Sequence, residues 1–251
     1  MHKPKKSLGQ NFLFDKNIAK KIVNLTSIHN QYIIEIGPGT GFMTDEIIKK
    51  KPKKLYLIEK DKSLYLNLKK KYYDYKNIEI INDDALNFNL QYIKERKKII
   101  SNLPYNISIK LIINWLKIEC KLQKMILMIQ KEVAEKMNYK KIKKNRLNFF
   151  IEIASNYNIE FHVSRNVFYP KPKIMSSVIK IIPKKEIKIN LDKLELFTKE
   201  IFRHKRKKLS NVLKIKKTEL TNFFQPNLLE KRAEDLKTDD LLKIFNEFYN
   251  F

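Results

Sequence analysis

Between residues 32 and 129 five short apolar runs, YIIEI, KLYLIE, IEII, KIIS and MILMI, alternate with stretches of helical periodicity. A chain written this way has few options. Strands that alternate with helices build a doubly wound parallel sheet covered on both faces, so the expected class is α/β with a Rossmann-like sheet. Ahead of the first run, residues 15 to 28 place Ile18, Ile22, Val23 and Leu25 at helical spacing behind Asp15, a suitable N-cap. After the fifth, KEVAEKM and NFFIEIASNY read as helices, and NIEFHVSR and SVIKIIP as two last strands forming a hairpin. From about Lys184 the pattern turns helical. The expected division is a sheet domain over 1–184 and a small helical domain over 185–251, with no repeats or low-complexity linkers.

In such sheets ligands bind beyond the carboxyl ends of the strands, and the chemistry-bearing residues stand there. Gly37 and Gly39 follow the first run in EIGPGTG, where glycine permits close approach of a ligand to the backbone. The spacing is G-x-G-x-G with Pro38 inside, not the G-x-G-x-x-G of a dinucleotide site, which disfavours a nicotinamide dehydrogenase. Glu59 ends the second run 22 positions after Gly37 and is placed to accept both hydroxyls of a ribose. Asp84 follows the third and can accept an exocyclic amino hydrogen. Together they outline an adenosine whose 5′ substituent lies against the glycine turn.

The fourth run ends in Asn102-Leu103-Pro104-Tyr105. A planar amino group such as adenine N6 is a poor nucleophile, because its lone pair is delocalised into the ring. The Asn102 side-chain carbonyl and a main-chain carbonyl at Leu103 or Pro104 can each accept one amino hydrogen and aim the lone pair at an electrophile. Proline stiffens that turn, and Tyr105 can stack on the base, a contact worth about 1–3 kcal/mol. No tuned general base is needed.

Composition narrows the partners. A net charge of +26 calls for a polyanion, nucleic acid before membrane. Only six of the 53 basic residues are arginine, so part of the lysine excess reflects AT-rich coding. The run Arg203, His204, Lys205, Arg206, Lys207, Lys208 carries no acid and reads as a phosphate-contacting face. Lys5 and Lys6 read as a plain tail or a phosphate-reaching arm. Cys120 is the only cysteine, which excludes an internal disulfide and fits a reducing compartment, cytoplasmic or organellar. The four histidines lack metal-ligand spacing, so no metal is expected. No apolar run approaches the roughly 20 residues of a membrane span, and the basic N-terminus has no apolar stretch behind it to make a secretory signal. Trp115 in LIINWLKI reads as core packing.

Eight segments in order carry a resemblance: KKSLGQNFL, EIGPGTG, IEKD, NDDAL, NLPYNIS, IQKEVAEKM, VFYPKPKI and FRHKRKKLSNVL. The chain resembles the small-subunit ribosomal RNA adenine N6,N6-dimethyltransferases (KsgA-like) along nearly its whole length. The resemblance implies S-adenosyl-L-methionine bound at Asn11, Leu13, Gly37, Glu59, Asp84 and Asn102. It implies a target adenine flipped between Tyr105 and Phe168. RNA contacts are expected at Lys5, Lys6, Arg146, Arg203, Lys205, Arg206 and Lys207. The expected partner is the small ribosomal subunit and its rRNA, and the expected state a cytoplasmic monomer. The chain departs from the family at Lys171, often proline, at Met175, usually aspartate, and in lacking Tyr-Gly ahead of Arg146-Leu147. Two other readings are compatible with the same motifs: a large-subunit rRNA adenine methyltransferase of the antibiotic-resistance type, and a non-catalytic RNA-binding assembly or transcription factor.

Overall fold

The structure is a computed structural model that describes residues 4–5, 9–118, 121–140, 143–204, 206–213 and 226–249. Two compact units divide the chain: Met1–Ala134 with Asn158–Pro183, and Glu135–Tyr157 with Lys184–Phe251. The single boundary expected at residue 184 therefore misses an excursion. Glu135–Tyr157 groups with the C-terminal helices because its apolar face is covered by them.

The first unit opens with β1 (Phe12–Leu13) and α1 (Lys16–Val23). Asp15 caps α1 by accepting the Asn17 and Ile18 N–H groups at 2.8 and 3.0 Å, satisfying two of the donors a helix start leaves over. There follow β2 (Tyr32–Ile36), α2 (Phe42–Ile48), β3 (Lys54–Ile58), α3 (Lys62–Lys71) and β4 (Ile78–Ile81). Next come β5 (Lys97–Asn102), α4 (Ser108–Lys117), β6 (Leu122–Gln130) and α5 (Lys131–Met137). Trp115 is buried on α4, as its spacing suggests. The sheet order is β4-β3-β2-β5-β6-β9-β7, with β7 at Ser155–Val163 and β9 at Ser176–Pro183.

The pairs from β4 through β6 are parallel, and β9 runs antiparallel to β6, so the sheet is mixed rather than wholly parallel. Covered strands need apolar residues on both faces, and Met125 to Ile129 are accordingly buried without a break. Strand β2 pairs with both β3 and β5. Chain order reverses at β2, which opens a crevice at the carboxyl ends of these strands.

Two details depart from the sequence reading. The helix expected over NFFIEIASNY is α6 (Arg146–Ala154) and stops three residues early, where β7 begins at Ser155. There the Ser155 hydroxyl donates to the Ile151 carbonyl at 2.9 Å, and strand pairing takes over the β-branched and aromatic residues beyond. The second detail is an unforeseen two-stranded sheet. It joins β1 to β8 (Phe168–Tyr169), antiparallel, with Phe12 opposite Tyr169 and Leu13 opposite Phe168.

In the second unit α6 starts on a capping box in which Asn145 and Asn148 exchange side-chain and backbone bonds. Helices α7 (Leu191–Ile201), α8 (Leu209–Leu213), α9 (Pro226–Leu229) and α10 (Thr238–Tyr249) follow. Phe197 of α7 meets Phe149 and Phe245 edge-on, with ring centroids 6.4 and 5.5 Å apart. All three rings are fully buried. Phe197→Ala should lower stability by about 3–5 kcal/mol, read as a fall in the urea midpoint. An unchanged midpoint would mean that the three rings do not hold this unit together.

Candidate functional site

The crevice beyond β2, β3 and β5 is a cavity bordered by residues of the 9–13 arm, the 35–43 glycine turn, Glu59, Asp84 and the 102–107 turn. Its floor is made where side chains give way. Gly39 has φ of +60°, and a Cβ there would lie 2.9 Å from the Phe12 ring, so only glycine lets the arm close on the turn. The Gly39 N–H donates to Glu59 Oε2 at 3.1 Å, and the Asp61 N–H to Glu59 Oε1 at 2.8 Å. Glu59 is thus aimed from both oxygens while 5% exposed. Burial pushes its carboxyl above the usual value, and these backbone donors pull the other way. Each oxygen retains a lone pair for a hydroxyl ligand.

Asp84 lies three residues past β4 and accepts Leu86 N–H at 3.0 Å. Lys60 Nζ sits 2.8 Å from its other oxygen and holds the carboxyl below its ordinary value. Both residues border the cavity.

At the end of β5, Asn102 Nδ2 donates to the Asn11 main-chain carbonyl at 3.0 Å. That bond orients the amide, with Nδ2 toward the arm and Oδ1 left as an acceptor. The Leu103 N–H goes to the Met128 carbonyl, and the Pro104 carbonyl accepts from Ile107 N–H at 3.3 Å. Of the two main-chain acceptors considered from sequence, Leu103's is the one that no hydrogen bond among the described residues engages. The Tyr105 hydroxyl lies 2.6 Å from Ser176 Oγ at the start of β9, which fixes its ring. Burial pushes that phenol up.

Asn11, Leu13, Gly37, Gly39, Glu59, Asp84, Asn102, Leu103, Pro104 and Tyr105 are therefore brought together around one cavity. Phe168 is not on its wall. The ring is 2% exposed and packs in the core with Leu13, its strand partner. Paired residues of a two-stranded ladder share a face, so Phe168 and Leu13 turn inward together. Tyr169, on the other face, is 64% exposed.

The basic candidates scatter. Lys5 Nζ is 2.9 Å from the buried Asp61, and Arg146 is 3.3 Å from Glu195, so both are engaged within their own units. Arg203, Arg206 and Lys207 line a shallow hollow with His204 in the helical unit. Lys6 and Lys205 lie outside the described residues. Sequence reasoning passed over Asp61, Gln10, Glu35 and Ser176, although the first three sit inside IEKD, KKSLGQNFL and EIGPGTG.

Glu35 borders the cavity at the end of β2 and is buried, with Oε2 accepting the Thr44 hydroxyl at 2.7 Å. Burial pushes its carboxyl up to about 8, against an ordinary 4.5, with the Thr44 bond opposing. The unfolded chain sheds this proton near 4.5 and the folded chain keeps it to about 8. Stability therefore falls as pH rises through that window, by about 1.4 kcal/mol per pH unit for one such group. Glu35→Gln should flatten the decline, measured as urea midpoints from pH 5 to 8. The same slope in both proteins would show that Glu35 is not the group that titrates.

A family model for ribosomal RNA adenine dimethylases matches residues 1–250. The chain is 38% identical to the ribosomal RNA small subunit methyltransferase A of Sulfurihydrogenibium sp., over 99% of this chain and 97% of that protein. Among solved structures, it is similar to a dimethyladenosine transferase from Plasmodium falciparum, 26% identical over 95% of this chain and 98% of that one, with a TM-score of 0.79. The 23S rRNA methyltransferase ErmE shares the fold at 21% identity, covering 96% of this chain and all (100%) of its own, with a TM-score of 0.72. A match of this extent, with five of the eight motif segments bordering one cavity, leaves one conclusion: the chain belongs to the ribosomal RNA adenine dimethylase family.

Proposed function

We infer that this protein transfers methyl groups from S-adenosylmethionine to N6 of two adjacent adenines near the 3′ end of small-subunit rRNA, giving N6,N6-dimethyladenosine. The observation that carries this reading is the Asn102 amide. Its nitrogen donates to the Asn11 carbonyl, which supports its oxygen as an acceptor held at the cavity border. The near-full-length similarity to proteins named for the small subunit favours that substrate over the large subunit, since the likeness to ErmE speaks for the fold alone.

Family and fold imply S-adenosylmethionine, and the cavity fits it. A Cβ at Gly37 would meet nothing within 4 Å, so the turn leaves open space where a ligand's backbone-hugging portion belongs. Glu59 would take the ribose hydroxyls on its remaining lone pairs, and Asp84 the exocyclic amine, with the 9–13 arm and the glycine turn closing around them. When bound, the cofactor supplies a methyl group on a sulfonium, an electrophile that needs no further activation.

The chain's own residues supply position and electrostatics. Asn102 Oδ1 and the Leu103 carbonyl each accept one hydrogen of the target amine and point its lone pair inward. One of the two still holds the monomethyl amine for a second transfer. Tyr105, held by Ser176, stacks on the base. Phe168 acts behind this wall by supporting Leu13 rather than by facing the base. Arg203, Arg206 and Lys207 of the helical unit would contact phosphates, which position an RNA without reading its sequence. Discrimination between subunits then comes from surfaces outside the cavity. No helix among the described residues is long and apolar enough to cross a membrane.

Incubation with immature small subunits and labelled cofactor, followed by mapping and mass spectrometry of the modified bases, tests this reading. The expected product is N6,N6-dimethyladenosine at two neighbouring positions of small-subunit rRNA. A monomethyl-only product, or label confined to large-subunit RNA, would overturn the substrate.

A further inference from the structure

Asp61 lies two residues beyond Glu59, at the start of α3, and its side chain does two jobs. Oδ1 caps the helix, accepting Ser63 N–H at 2.9 Å and the Ser63 hydroxyl at 2.7 Å. Oδ2 faces the other way. It meets Lys5 Nζ at 2.9 Å and Gln10 Nε2 at 3.3 Å. Gln10 in turn uses Oε1 to accept the Lys5 N–H at 2.7 Å. The carboxylate is 2% exposed. Burial alone would raise its pKa, yet the bonds from Ser63, Lys5 and Gln10 hold it well below the ordinary range.

The next residue after Gln10 is Asn11, whose carbonyl fixes the Asn102 amide. One residue further, Phe12 lies against Gly39, whose N–H also goes to Glu59. A continuous path of hydrogen bonds and one peptide link therefore runs from Glu59 through Asp61, Gln10 and Asn11 to Asn102.

We propose that Asp61 is a positioning residue for methyl transfer: its carboxylate clamps the 9–13 arm and, through Asn11, sets the orientation of the Asn102 amide. This rests on the reading of Asn102 as the acceptor for the target amine. The clamp ties the acid that would bind the cofactor ribose to the amide that would orient the substrate, so an ordered arm serves both ligands.

Asp61→Asn tests it, because asparagine keeps an oxygen for the α3 cap and replaces the clamping oxygen with a donor. The substitution should speed amide hydrogen exchange across residues 9–13 and weaken S-adenosylhomocysteine binding. Single-turnover methyl transfer should fall about 10- to 100-fold, the usual effect of a mispositioned acceptor. Adding Gln10→Glu supplies an acceptor to the new donor and a partner for Lys5, and should restore all three. A general loss of structure would not be rescued in this way. Wild-type exchange and turnover in Asp61→Asn, or failure of the double variant to recover, would overturn the clamp. Should the wild-type protein methylate no adenine, the functional reading fails, while exchange and S-adenosylhomocysteine binding still decide the clamp.

Discussion

An amide has a donor end and an acceptor end, and at Asn102 the carbonyl of Asn11 takes the donor end. Much of the site depends on that choice. On the proposed reading, an amide flipped the other way would point N–H groups at the N–H bonds of the target amine, and the two would repel. With Nδ2 committed, the proposed acceptor is held in place beforehand, which is the condition for electrostatic stabilisation without reorganisation. The same contact is one of several that hold the 9–13 arm, beside the β1–β8 ladder and the Gln10–Asp61 bond.

Acids placed at strand ends carry a cost. Glu35, Glu59 and Asp61 are all buried, and a buried carboxylate without partners is strongly disfavoured. The protein deals with each differently. Glu35 is kept protonated by burial. Glu59 receives backbone N–H donors. Asp61 is compensated by a helix start, a lysine and a glutamine. One neutral carboxyl and one cradled carboxyl thus border the crevice, with an ion-paired one behind Glu59, which limits mutual repulsion.

The sheet and the crevice were legible because period and strand-end chemistry are local properties. Residues 32–36 read as a strand from their β-branched run, and the structure has the same bounds. Glu59, Asp84 and Asn102 were legible as site candidates because each follows its own strand. What was not legible depends on pairing across long separations. Nothing in FL at 12–13 or FY at 168–169 announces a ladder between segments more than 150 positions apart, so the inward turn of Phe168 stayed hidden. The domain excursion at Glu135–Tyr157 was hidden for the same reason, since helix periodicity does not say which neighbours cover a face. Lys5 read as a free cation because its partner, Asp61, is remote in sequence and looked like a plain strand-end acid.

Asn102→Asp, assayed for single-turnover methyl transfer to small subunits at saturating cofactor, tests the central claim most directly. Aspartate preserves size and acceptor oxygens but loses the donor to the Asn11 carbonyl. Transfer should fall by about 10- to 100-fold or more, as expected when a reacting group is no longer held in place. Transfer at the wild-type rate would contradict the claim that the committed amide nitrogen sets up the site.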